Sequence, residues 1–563
     1  MTQNKHQKLE LTWIGKGEEP KLEPRILIEQ PEYSYGDPTS ENMLIHGDNL
    51  LALKALEQDY AGKVKCIYID PPYNTGSAFE HYDDGVEHSI WLNLIKFRIS
   101  ILWNLLNYRE GSLWISIDDR EMPYLRVLLD EICGRDKFIA SNVWQKRYSR
   151  ENREAIGDVH EYIIVYARNP QIFKETRNKV PLDDKSKNVY KNPLNDPRGP
   201  WRGIPMTAQG FRSNQMYTIK APNGKLHIPP EGRCWSTIEA NFLKLLAEDR
   251  IYFGKDNNSQ PNIIRYLSEV EGHVPWTWWP HEDVGHTDEA KKEQQILFGK
   301  DNTFETPKPE RLIRRILSIA SNPGDLVLDS FLGSGTTTAV AHKMGRRWIG
   351  VELGEHAKTH CFPRMKQVVD GEQGGISKAV EWQGGGGFKF YSLAPSLLNQ
   401  DQFGNWVISS EYNAQMLAAA TAKQEGFRYL PHEILYWKQG NSSENDYIFT
   451  TTQFITVETL DQIHDQMLLG ESLMVCCKAF QKECKSKFAN ITIKKIPQML
   501  LGRCEFGKDD YSLNIVNMPV EEQPEDDLFL DSVIETIIAK PTKKDKRSVQ
   551  EINKNNQQTS LFD

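Results

Sequence analysis

The chain has 563 residues, of which 39% are hydrophobic and 26% charged, and a formal net charge of −9. That is the make-up of an ordinary globular protein with room for about two to four domains, and it excludes a wholly basic, histone-like nucleic-acid binder. No run of eighteen apolar residues occurs and the first residues lack an apolar leader-like segment, so neither a membrane span nor export is expected, and a cytoplasmic location is. Eight cysteines without a CxxC pair argue against a zinc ribbon or a disulfide framework, and no metal is expected.

Residues 1–40 are polar and proline-rich and read as an extended arm. From 41 to 168 strands and helices alternate. Asn42 to His46 is strand-like, Leu50 to Gln58 helical behind a cap at Asp48 or Asn49, and Val64 to Ile69 a strand buried on both faces. The first strand, helix and second strand have the length of a βαβ unit with parallel strands. Ser89 to Tyr108 reads as an amphipathic helix, Gly111 to Ile117 as a strand, Tyr124 to Cys133 as a helix, and Ile139 to Gln145 and Glu161 to Ala167 as strands. This rhythm predicts a doubly wound, mostly parallel α/β sheet.

Between 169 and 301 the rhythm is lost among Pro, Gly, Asn and charged residues, so this stretch reads as an inserted module. From Ser141 to Lys220 there are 15 Lys and Arg against 8 Asp and Glu, which marks the strip best suited to a phosphate backbone. The α/β rhythm resumes over 302–383, with a helix from Glu310 to Ala320 and strands at Asp325 to Asp329 and Arg347 to Val351. Gly384 to Gly387 predict a flexible joint or tight hairpin opening a small C-terminal α/β domain over 384–520. Residues 521–563 read as a mostly disordered tail.

Two stretches carry chemistry. The Val64–Ile69 strand runs into Asp70-Pro71-Pro72-Tyr73; successive prolines force a turn, so an acid, a carbonyl and an aromatic ring meet at a strand's carboxyl end, where open α/β sheets bind ligands. The second is Asp329-Ser330-Phe331-Leu332-Gly333-Ser334-Gly335-Thr336, between a strand and a helix. Its glycines admit a ligand to the helix N-terminus, and Glu352, about twenty residues on, suits ribose hydroxyls. Threonines rather than lysine after Gly335 disfavour a triphosphate. Asp118-Asp119 reads as a capping and loop pair, while His160-Glu161 and His360-Cys361 lack partners at metal-ligand spacing and read as structural.

DPPY, followed downstream by Thr306-Pro307-Lys308-Pro309 and FLGSGTT, resembles the amino-methylating DNA methyltransferases of the β arrangement. With LIHGDNLLALKAL, IDPPYNTG, GSLWISIDD and HEYIIVYARN it resembles the modification subunits of type III restriction-modification systems, over roughly residues 10–520. The resemblance implies a Rossmann-like methyltransferase sheet with an inserted target-recognition module. It further implies transfer of a methyl group from S-adenosylmethionine to N6 of a flipped-out adenine in double-stranded DNA.

Asp70 and the Pro71 carbonyl are then acceptors for the amine, Pro72 completes the turn and Tyr73 stacks on the base. Asp329, Phe331, Gly333, Gly335 and Thr336 wall the cofactor, Glu352 holds its ribose, Asp48 lies near its adenine and Lys308 near its methionine end. A homodimer and a helicase-nuclease restriction subunit are the implied partners. Three rivals share the motif: cytosine N4 methylation, protein glutamine methylation, which resembles NPPY, and a recognition subunit whose methylase site has decayed.

Overall fold

In the computed structural model, which describes residues 10–73, 84–148, 156–182, 184–193, 195–304 and 306–511, the apolar run before the two prolines forms the strand Cys66–Ile69, buried at every position. Its side chains alternate as a strand requires. Ile67 and Ile69 enter one apolar cluster with the helices Asn49–Tyr60, Asp84–Leu105 and Met122–Leu129; Cys66 and Tyr68 enter a second with Glu310–Ala320, Thr336–Lys343 and Phe362–Val369. Helices thus cover both faces, which is the doubly wound arrangement expected.

Among the described residues the central sheet has eleven strands. From one edge their order is Leu27–Glu29, Gly387–Leu393, Met43–His46, Arg347–Glu352, Leu326–Asp329, Cys66–Ile69, Ser112–Ile117, His160–Ala167, Phe138–Gln145 and Trp278–Trp279, with Tyr35–Gly36 paired off the path to Gly387–Leu393. The six from Gly387–Leu393 to Ser112–Ile117 are mutually parallel. His160–Ala167 runs against both its neighbours.

One expectation holds and one is corrected. Met43–His46 and Cys66–Ile69 are parallel but not adjacent, because Arg347–Glu352 and Leu326–Asp329, from the far side of the inserted module, lie between them. Nor does the chain leave the sheet at Gly384: Gly387–Leu393 pairs in parallel with Met43–His46 and antiparallel with Leu27–Glu29, so the four glycines turn the chain back into the sheet, and the N-terminal arm supplies its edge.

The 169–301 stretch forms small sheets of its own. Trp201–Pro205, Asn262–Tyr266 and Ile251–Tyr252 make one; Thr207–Gln209 pairs with Arg233–Trp235 around a core that includes Met206, Trp235 and Phe242. Of the basic strip, Lys146, Lys179 and Arg198 are held by carboxylates of the chain itself, at Asp158, Glu271 and Asp196. Past the main sheet, Arg428–Tyr429, Gly440–Ser443, Asp446–Ile455, Ser472–Phe480 and Ile491–Lys495 form a five-stranded sheet. No helix among the described residues is long and apolar enough to cross a membrane. Asn74-Thr75-Gly76, the loop through Tyr82 and the tail over 521–563 lie outside the described residues.

Candidate active site

The two motifs meet because their strands are neighbours. Ile67 registers with Leu328, so Asp70 and Asp329 leave adjacent parallel strands at the same carboxyl edge. Pro71 and Pro72 end the ladder at once, lacking N–H donors. The Pro72 carbonyl accepts Trp91 Nε1–H at 2.8 Å, which fixes the turn, and no donor among the described residues reaches the Pro71 carbonyl.

Both Asp70 oxygens are occupied. Lys308 Nζ lies 2.6 Å from Oδ2, and the Tyr73 hydroxyl donates to Oδ1 at 3.0 Å. Burial, opposed by the Lys308 charge, raises the Asp70 pKa above the usual carboxylate range. Burial also pushes the Tyr73 phenol well up, with Asp70 and Glu161 adding to it. For Lys308 burial pulls downward, yet Asp70 and Glu161 outweigh it and hold the ammonium above its ordinary pKa. Lys308, expected beside the cofactor's methionine end, is thus found on the carboxylate of the DPPY motif.

Glu161 is the group that sequence reasoning missed. Its Oε2 lies 3.0 Å from the Tyr73 hydroxyl and 3.6 Å from Lys308 Nζ, and its Oε1 lies 3.5 Å from Lys146 Nζ. The reversed direction of His160–Ala167 explains this, since the start of an antiparallel strand falls at the carboxyl edge of its parallel neighbours. His160 also finds partners. Its ring nitrogen, Asp119 and Asp158 converge within 4.8 Å of one another, but both acids are exposed and Asp158 already holds Lys146 at 2.7 Å. Asp118 caps a turn by accepting Glu121 N–H at 3.2 Å.

On the cofactor-loop side, Gly333 and Gly335 have φ of +57° and +79°, where side chains are strained. A Cβ on Gly333 would meet the Phe304 ring at 3.2 Å and one on Gly335 the Cys361 backbone at 3.3 Å, so close packing as well as backbone conformation calls for glycine at both positions. Glu352 ends its strand and accepts Gly333 N–H at 2.7 Å and Gly354 N–H at 3.0 Å; burial raises its pKa. Phe331 is partly buried against the first apolar cluster, and its N–H donates to Asp329 at 2.9 Å. Burial pushes Asp329 up to about 7, helped by Asp70 and Glu352. Ser330 Oγ is buried without a partner among the described residues.

Two expected cofactor contacts are occupied by the fold. Thr336 Oγ1 accepts Arg364 Nη1–H at 2.9 Å, and Arg364 also binds Ser334 O and Glu310, which Lys343 neutralises at 2.8 Å; this buried set braces the loop from below. Asp48 is 1% exposed. It caps its helix through Leu51 N–H at 3.0 Å, pairs with Arg98 at 3.2 Å and accepts Tyr511 N–H at 3.0 Å. Three of the carboxylate's four lone-pair sites are thereby taken by the fold.

A family model described as DNA methylase matches residues 64–362, just over half of the chain. The chain is 33% identical over 428 residues to a Haemophilus influenzae protein named Probable type III restriction-modification enzyme HindVI Mod subunit, covering 64% of this chain and 55% of that one. It is 34% identical over 370 residues to the Salmonella typhimurium type III restriction-modification enzyme StyLTI Mod subunit, covering 58% and 55%. The chain therefore spans about half the length of these curated relatives. Among solved structures, that of the M1.HpyAVI–SAM complex matches with 18% identity and a TM-score of 0.27, covering 56% of this chain and 97% of that one. With a family model that runs from the DPPY strand through the glycine loop to the Glu352 strand and beyond, the chain belongs to the DNA methylase family.

Proposed function

We propose that this chain transfers the methyl group of S-adenosylmethionine to N6 of an adenine swung out of duplex DNA, as the modification subunit of a type III restriction-modification system. The observation that carries the reading is the adjacency of Asp70 and the Asp329–Thr336 loop on registered parallel strands. The names of the relatives support the type III assignment.

The residues fit the cofactor. Gly333 and Gly335 let the loop turn at positive φ into the helix N-terminus, Glu352 presents a carboxylate for ribose hydroxyls, and the Ser330 hydroxyl beside them is without a partner among the described residues. When bound, S-adenosylmethionine supplies an electrophilic methyl on a sulfonium. The chain's part is to make an exocyclic amine nucleophilic. That amine's lone pair is delocalised into the base, and N–H donation to the Asp70 carboxylate and the Pro71 carbonyl localises it. Charge that develops on nitrogen is met by an anion already in place. Tyr73 offers a ring for the extruded base to stack on. No covalent intermediate with the protein is needed.

The test is to incubate the chain with duplex DNA and cofactor carrying a trideuterated methyl group, then to analyse the nucleosides by mass spectrometry. Labelled N6-methyladenine is expected. Label only in N4-methylcytosine would replace the base assignment, and none in any duplex, with the cofactor bound, would favour a recognition subunit. Native mass spectrometry tests the homodimer and the helicase-nuclease partner.

A further inference from the structure

We infer that Glu161 is a positioning residue that takes Lys308 and Tyr73 off Asp70 when the target amine arrives. The inference rests on the reading of the site as an amine methyltransferase. In the chain alone each Asp70 oxygen already accepts one donor, Lys308 at Oδ2 and the Tyr73 hydroxyl at Oδ1. An incoming amine N–H competes with both for the same carboxylate, and one that takes the place of either donor displaces it.

Both displaced donors have the same second acceptor. Glu161 Oε2 already lies 3.0 Å from the Tyr73 hydroxyl, and a movement of less than about 1 Å brings Lys308 Nζ, now 3.6 Å away, within hydrogen-bond distance. The phenol has one proton and two carboxylates at equal range, so turning its O–H from Asp70 to Glu161 breaks one hydrogen bond and makes an equivalent one. The Lys308 and Glu161 side chains are each 10% exposed. An ammonium leaving Asp70 in so enclosed a site without another anion would be unpaired and strongly unfavourable, whereas Glu161 keeps it paired throughout. Lys146, 3.5 Å from Oε1, balances Glu161 from the opposite side while Lys308 stays on Asp70. Trp144, whose ring centroid lies 6.0 Å from Lys308 Nζ, bounds the lysine's movement with an apolar surface.

The test compares the full chain with its Glu161→Gln variant in three measurements. Cofactor affinity by calorimetry should agree within about twofold. The single-turnover methylation rate at neutral pH should fall at least tenfold and recover as pH rises toward the lysine range, because deprotonation frees Asp70 from a lysine that no longer has an alternative anion. A merely structural Glu161 would not give that alkaline recovery. The third readout needs no activity: in protein labelled with 13C at lysine Cε, the Lys308 resonance, assigned with Lys308→Arg, should titrate at lower pH in Glu161→Gln by about one unit. An unmoved Lys308 titration, or a variant within twofold of the parent rate, overturns the role of Glu161. If the parent itself methylates no DNA, the functional reading falls, and the titration still decides whether Glu161 shares Lys308.

Discussion

Lys308 Nζ stands 2.6 Å from Asp70 Oδ2 although 238 residues separate them in the chain. The contact joins the turn before helix Glu310–Ala320 to the end of the Cys66–Ile69 strand, so the two halves of the sheet are tied at the point where the chemistry is placed.

That pair predicts a pH dependence. Asp70 must be ionised to accept an amine N–H, and burial raises its pKa, so the methylation rate should rise with pH through a limb above the ordinary aspartate range. Lys308→Met removes the main influence holding that pKa down. The limb should then move further up, by about one unit or more, as rate profiles of the two proteins would reveal.

Asp329 predicts a dependence of stability on pH. Its pKa is about 7 in the fold, chiefly through burial, against 3.8 for the free side chain. Below both values it is protonated in either state; as pH rises from about 4 to 7 the unfolded chain gains an ionisation that the fold resists. Stability from this group is lost over that window, by roughly 4 kcal/mol at most. Asp329→Asn, which keeps an acceptor for Phe331 N–H, should be more stable than the parent at pH 8 by urea unfolding, with the gap closing near pH 4.

Glu352 accepts the backbone N–H groups of Gly333 and Gly354 on different oxygens, so Gln, with one acceptor, keeps only one of these bonds. Glu352→Gln should therefore give up one loop contact as well as the charge, and weaken S-adenosylmethionine binding at least about tenfold by calorimetry on protein shown to be folded by circular dichroism, the loss expected for a charge-assisted hydrogen bond of about 1.5 kcal/mol. Unchanged affinity would remove Glu352 from the ribose site.

For Asp48 the expected loss is in stability. Asp48→Ala leaves Arg98, 2% exposed, without the carboxylate it pairs with and removes a helix cap, so urea unfolding should show a loss of about 3 kcal/mol. Full stability with lost cofactor binding would return Asp48 to the cofactor.

Motifs local in sequence were legible without coordinates. The DPPY turn is dictated by two prolines after an apolar run, and the glycine loop by spacing between a strand and a helix, so both were identified with their surroundings. Relations set by tertiary pairing were not. Nothing in the text around Glu161 says that its strand runs antiparallel and delivers its first residues to the carboxyl edge. Likewise, the adjacency of the 66–69 and 326–329 strands depends on how a chain returns after an inserted module. Asp48 illustrates a third kind of difficulty: a capping acid and a ligand-binding acid share one sequence signature, and its contacts with Arg98 and Tyr511 are set by tertiary structure.

The most direct test of methyl transfer to adenine with Asp70 as acceptor is single-molecule sequencing of DNA from cells expressing the chain or its Asp70→Ala variant. N6-methyladenine at one recurring motif is predicted with the parent, and its disappearance, a loss of at least about a hundredfold, with the variant. The same motif methylated by Asp70→Ala, or marks only on cytosine with the parent, would contradict the account.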